Sequence, residues 1–192
     1  MPVVVFLHAN HPVAIRWARP IAHDRSMSTP RYPSRGSALL RLGRRNEPGR
    51  IYLVTFATFS RKPLFADWLV ALETVRSMRS PQIWRGSSLL CWVLMPDHWH
   101  GLVGLGDMDA LSALVNRLKG TSARAINLQR GQHEPVWADG FHDHALRRDE
   151  DLVAVARYIV GNPVRAGIVE RVGRYPFWDA VWLDRSNEQR SG

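Results

Sequence analysis

The sequence is poor in cysteine, in lysine and in long apolar runs, and each shortage excludes something. A single cysteine, Cys91, can close no internal disulfide and build no four-cysteine zinc site. The matching expectation is a reducing, cytoplasmic setting. No run of about 18 apolar residues occurs, so no membrane-spanning helix is expected. The apolar start, Val3 to Leu7, is too short for a secretory signal and has no basic residue before it. Lys62 and Lys119 are the only lysines among 26 basic residues, so the basic character is that of arginine. Acidic residues number 17, leaving a formal charge of +9. At 45% hydrophobic and 22% charged, the 192 residues match an ordinary folded domain and exclude wholesale disorder.

The excess charge is unevenly placed. Residues 1–50 hold nine arginines against Asp24 and Glu47, a balance of +7, and the rest of the chain stands at +2. Such an arm suits nucleic acid or another polyanion. Arginine bias from GC-rich coding is the competing account. Pro12, Pro20, Pro30, Pro33 and Pro48 disfavour long helices and central strands there. The expected organisation is a basic, irregular arm over 1–50, a folded domain over 51–183 and a polar tail over 184–192. Met27 is an alternative start, which would place residues 1–26 outside the native protein.

From Ile51 the pattern becomes regular. Residues 51–59 are β-branched and aromatic, as a half-buried strand requires. Over 65–79, Phe65, Trp68, Leu69, Leu72, Val75 and Met78 recur at helical spacing. Two apolar strands, 89–95 and 98–105, flank Pro96-Asp97 and predict an antiparallel hairpin. A helix is predicted over 109–130, with Asp107 or Asp109 as cap and Gly120 as a weak point. A further helix over 152–160 follows the acidic run 149–151 and stops at Gly161-Asn162-Pro163. Asn162 is then the expected cap of a short last helix, with Pro163 in its first turn. Strand, helix, two strands and further helices predict an α+β fold, an antiparallel sheet with packed helices.

Two segments carry chemistry. His98 and His100 lie two apart on a strand, so both imidazoles face one way and Trp99 the other. Such a pair can hold a metal ion, or can be a pair of half-buried histidines bonded to backbone carbonyls. His142 and His144 repeat the spacing among charged neighbours, where solvent exposure is the simpler account. Tyr158 and Asn162 are four apart on a helix, which stacks them roughly 6 Å apart on one face. A tyrosine oxygen is a possible nucleophile, weak while its pKa stays near 10, and an amide oxygen is a hard ligand. An edge-of-core tyrosine and an ordinary helix cap remain the plain alternatives.

Taken together the segments are far more specific. RIYLVTF, WVLMPDHWHGLV, LVNRLKG, PVWADGFHDHAL, ARYIVGNPVRAGIV and RYPFWDAVW occur in the order and spacing of the REP-associated tyrosine transposases, single-tyrosine members of the HUH nuclease superfamily. The chain resembles that family over about residues 30–182. The resemblance implies a ferredoxin-like sheet and a transposase that nicks and joins single-stranded DNA at palindromic hairpins through a 5′-phosphotyrosine. It implies Tyr158 as nucleophile, and His98, His100 and Asn162 as ligands of a divalent metal, Mg²⁺ or Mn²⁺. Asp97 stands where the family commonly has Asn, at a position expected only to shape the turn.

Expected phosphate contacts are Arg31, Arg35, Arg41, Arg44 and Arg45 on the arm, Arg117, Lys119 and Arg124 on one helix, and Arg165. Trp137, Trp178 and Trp182 are expected in the core. The implied partner is hairpin DNA, with no membrane, a place near the nucleoid, and a monomer or a dimer. Two other classes stay open: a domesticated hairpin-binding protein with little or no cleavage, and a small-molecule metalloenzyme built on His-x-His.

Overall fold

A computed structural model describes residues 49–147 and 151–182. They fall in one of two compact units, Tyr32–Gly192. The arm residues Arg31, Arg35, Arg41, Arg44 and Arg45, the alternative start and the polar tail lie outside the described residues.

Five strands form one antiparallel sheet: β1 (Ile51–Ala57), β2 (Ser88–Met95), β3 (His98–Gly104), β4 (His142–Ala145) and β5 (Trp178–Ala180). Their order across the sheet is β4-β1-β3-β2-β5. Four helices complete the fold: α1 (Trp68–Met78), α2 (Leu111–Arg130), α3 (Leu152–Val160) and α4 (Asn162–Arg165). The α+β expectation therefore holds, and the predicted hairpin is β2–β3 with Met95 opposite His98. Among the described residues no helix is long and apolar enough to cross a membrane.

Strand alternation divides the core into two layers. Tyr52, Val54 and Phe56 of β1, and Trp99 and Val103 of β3, point to one face and are buried. Phe56 stacks on Trp99 with ring centroids 5.1 Å apart and meets Trp137 edge-on at 4.7 Å. The Trp137 indole nitrogen donates to Ser122 of α2 at 2.9 Å, and Val75 and Met78 of α1 line a small cavity with Trp92 and Trp99. Helices α1 and α2 thus cover this face. On the other face α3 packs on β2, where the Cys91 thiol reaches the Ala156 carbonyl at 3.8 Å.

Local chemistry sets most boundaries. Asp67 caps α1 by accepting from the amides of Leu69 and Val70, and Asp151 caps α3 through those of Val153 and Ala154. Gly131, with a φ of 60°, ends α2 in the left-handed conformation that a glycine adopts without strain. Gly120 does not interrupt α2.

Several expectations need correction. Ala110, not Asp107 or Asp109, occupies the cap position of α2, because the Asp109 carboxylate is bound by Arg117 and Ser87. Gly161, not Asn162, occupies that of α4. In α1 the buried positions are Val70, Ala71, Thr74 and Met78, whereas Trp68 and Leu69 are 50% and 62% exposed. Phe65 is buried from a short turn ahead of the helix, so the apolar face is rotated from the one its spacing suggested. Strands β4 and β5 were not anticipated, being only four and three residues long.

Two consequences are measurable. The Trp99 indole lies over Gly101, where an added Cβ would come within 2.0 Å of the ring. Gly101→Ala must push a fully packed indole aside, so it should destabilise by about 1–3 kcal/mol, read as a lower urea midpoint with an unchanged slope. Burial, and then the nearby Asp179 charge, push the Cys91 thiol up to about 12. At pH 8 it should resist a disulfide reagent until urea unfolds the chain; rapid labelling of the native protein would contradict its burial.

Candidate active site on the open sheet face

The register of β3 brings His98 and His100 side by side, with ring centroids 4.6 Å apart and planes at 89°. Each ring is anchored through the same atom. His98 Nδ1 lies 2.5 Å from Asp97 Oδ1, and His100 Nδ1 lies 2.7 Å from the hydroxyl of Thr55, its cross-strand neighbour on β1. Both Nε2 atoms remain for a ligand. Burial, followed by the charges of His98, Arg61 and Arg165, outweighs Asp97 and lowers the His100 pKa to about 3. Its ring is therefore neutral at pH 7, the form that coordinates a metal.

Asp97 does more than shape the turn. Burial disfavours its charge, but the His98 hydrogen bond and the charges of His98 and Arg61 hold its carboxyl below the usual range. The second carboxylate oxygen faces Arg61 Nη1 at 3.4 Å. A carboxylate behind an imidazole orients the ring and raises its basicity as a ligand. Arg61 was not among the residues singled out by the sequence. An arginine after a strand carries no local signal, and its place beside Asp97 depends on a turn 36 residues away.

Tyr158 rises from α3, which packs on β2, β3 and β5. Its side chain is 51% exposed, whereas Tyr52 and Tyr175 are 5% and 2% exposed. The Tyr175 hydroxyl also donates to the Leu94 carbonyl at 2.6 Å, and burial pushes its pKa far up. Among the described tyrosines only Tyr158 is accessible and ready to meet a large substrate.

Arg165 organises the neighbourhood of Tyr158. Its guanidinium sits over the Tyr158 ring at 3.9 Å, donates to the Tyr158 carbonyl and donates to Asn162 Oδ1 at 2.6 Å. Gly161 leaves the space, since a Cβ there would come within 2.8 Å of Arg165 Nη1. Asn162 Nδ2 is buried with no hydrogen-bond partner. The Asn162 oxygen is thus held by Arg165.

Other candidates separate clearly. Arg117 makes a bidentate pair with Asp109, at 2.5 and 3.1 Å, and donates to the Ile83 carbonyl at 2.9 Å. Lys119 donates to the carbonyls of Ala138 and Gly140 at 2.6 and 2.9 Å. Both side chains tie α2 to neighbouring loops. Arg124 is exposed on the same helix. His142 stands opposite Thr55 on β4, and Thr55 stands opposite His100, so His142 and His144 share the sheet face of the first pair, two strands away. Trp137 is buried, and Trp178 and Trp182 pack on the core.

The site is thus a His-x-His pair on the central strand of an antiparallel sheet, with a tyrosine-bearing helix packed on the same face. The chain belongs to the IS200-like transposase family, whose model matches residues 49–162. It is 33% identical over 88 residues to the REP-associated tyrosine transposase of Escherichia coli (strain K12), covering 45% of this chain and 50% of that one. It is 32% identical over 94 residues to the putative REP-associated tyrosine transposase of Haemophilus influenzae (strain ATCC 51907 / DSM 11121 / KW20 / Rd), covering 44% and 53%. The chain thus spans about half the length of these curated relatives. The fold is also that of a REP-associated tyrosine transposase solved bound to a REP hairpin, with a TM-score of 0.56 and 23% identity over 71% of this chain and 79% of that one.

Proposed function

We propose that this protein nicks and rejoins single-stranded DNA at palindromic hairpins, through a covalent bond between Tyr158 and a 5′ phosphate. The observation that carries the reading is the His98–His100 pair, with both Nδ1 atoms anchored, on the sheet face against which α3, the helix bearing Tyr158, packs.

The donor set fits a divalent cation, Mg²⁺ or Mn²⁺. His98 and His100 would hold it, with Asn162 Oδ1, which accepts from Arg165 here, as the third donor. Bound there, the cation supplies Lewis-acid polarisation of a phosphate oxygen.

The remaining steps belong to the chain's own side chains. Tyr158 Oη attacks phosphorus in line with the departing 3′ oxygen. The O–P bond to tyrosine forms as the bond to the 3′ oxygen breaks; the phenol proton leaves to solvent and the 3′ oxygen takes one up. The phosphodiester energy is retained in the tyrosine ester, so a 3′-hydroxyl can reverse the attack and rejoin strands without ATP. Arg165, seated on the tyrosine ring, holds that ring in place. Residues 51–183 form the catalytic domain in this reading, and the arm of residues 1–50 and Arg124 add phosphate contacts.

The test is incubation of the full chain with Mn²⁺ and an end-labelled hairpin oligonucleotide bearing a single-stranded flank, followed by a denaturing gel. A protein–DNA band selects the nuclease. Hairpin binding without that band selects the domesticated binding protein. Absence of both leaves the small-molecule metalloenzyme.

A further inference from the structure

The link between β1 and α1 carries an unusual backbone. Ser60 and Arg61 both have a φ of 54°, a region that side chains with a Cβ rarely adopt. Two such residues in succession persist only where their surroundings hold them. Here the surroundings are the β2–β3 turn that carries the histidines. Thr58 is fully buried; its amide donates to the Asp97 carbonyl at 2.8 Å, and its hydroxyl lies 2.7 Å from the Lys62 carbonyl and 3.0 Å from that of Asp97. The Phe65 amide donates to the Pro96 carbonyl at 3.0 Å. The strained turn is therefore clamped onto the turn beside His98.

The result is the placement of Arg61. Its guanidinium meets the Asp97 oxygen that His98 does not use, at 3.4 Å, and its side chain stays 62% exposed. A contact this long and this wet adds little to stability. A weak surface ion pair does not account for two left-handed residues. Arg165, more than a hundred residues on in the chain, bears on the same centre: the charges of both arginines act on His100. Arg61 is thus an exposed cation fixed beside the histidine pair, where it suits a backbone phosphate.

We propose that Arg61 is a phosphate-binding residue of the His98–His100 site, held on Asp97 in the free protein and transferred to a backbone phosphate of single-stranded DNA on binding. The choice of DNA as ligand rests on the function proposed above. The contact itself concerns binding and does not require cleavage.

The experiment measures binding of a fluorescent hairpin oligonucleotide with a single-stranded flank to the full chain in EDTA, across a salt series. Arg61→Ala should weaken binding about tenfold at low salt and reduce the log–log salt slope by about 0.7, one single-strand phosphate contact. Arg61→Lys should keep the slope and recover part of the affinity. Arg61→Gly removes the guanidinium and the strain at that one position together, leaving Ser60 as it is, so it should bind as poorly as Arg61→Ala while its Tm is equal to wild type or higher. Unchanged affinity and slope in Arg61→Ala overturn the proposal. So does a marked fall in Tm for Arg61→Gly with DNA binding intact, which would make Arg61 a structural residue. Wild-type binding without any covalent adduct in Mn²⁺ would refute the nuclease and leave the Arg61 contact standing. A wild-type adduct, with Arg61→Ala binding like wild type, would refute only the contact.

Discussion

Tyr158→Phe should form no DNA-linked species on a denaturing gel, a loss on the order of 10⁴-fold or more, as removal of a covalent nucleophile produces. The substitution deletes one oxygen from a side chain that is half in solvent, so stability should move by no more than about 0.5 kcal/mol. The ring stays, and with it the platform beneath the Arg165 guanidinium. Hairpin affinity should therefore remain near wild type while the covalent product disappears. The other described tyrosines offer no substitute: Tyr52 is buried and the Tyr175 hydroxyl is bonded to the Leu94 carbonyl. An adduct that persists in Tyr158→Phe would place the nucleophile elsewhere, and mass mapping of the linked peptide would show where.

His98→Ala and His100→Ala should each abolish metal-dependent cleavage and weaken Mn²⁺ binding, read by calorimetry, by more than the roughly 10–100-fold that loss of a supporting partner costs. The two variants should differ in their side effects. His98→Ala frees a carboxylate oxygen of Asp97 and leaves Arg61 its remaining partner there. His100→Ala opens a void beside Thr55 and strands its hydroxyl inside the sheet, so it should cost more stability. Asp97→Asn keeps an acceptor for His98 but removes the charge, so it should fall between wild type and His98→Ala in Mn²⁺ affinity. Undiminished Mn²⁺ binding by His98→Ala and His100→Ala would remove the metal from this pair. Cleavage that survives in both variants would remove the pair from the chemistry.

Much of this site was legible along the chain because its rules are local. Two residues apart on a strand means one face, and His98 and His100 share it. Tyr158 and Asn162, four apart, were expected on one helix face; the chain breaks at Gly161, so Tyr158 lies in the last turn of α3 and Asn162 begins α4, and the Arg165 guanidinium touches both. An acidic run before an apolar stretch means a helix start, and α3 begins directly after Asp151. The hairpin, the α+β class and the family resemblance follow from the same short-range patterns.

What the chain alone could not settle was which polar group meets which. Arg117, Lys119 and Arg165 look alike in sequence, yet the first is paired with Asp109, the second is fastened to two carbonyls, and the third lies on a tyrosine. Asp97 read as a turn former and became the partner of both His98 and Arg61. His142 and His144 read as solvated residues, and His142 is exposed and His144 half-buried; the pairing of β4 with β1 adds that they share the face of the first histidine pair. The sequence by itself determined the main strand and helix positions and the two chemical motifs, because those depend on residues within a few positions of each other; it did not determine the caps of α2 and α4 or the buried face of α1. Only the tertiary structure decided the partners. Strand order and cross-turn contacts join residues tens of positions apart, and a charged side chain takes the nearest counter-group in space rather than in the chain.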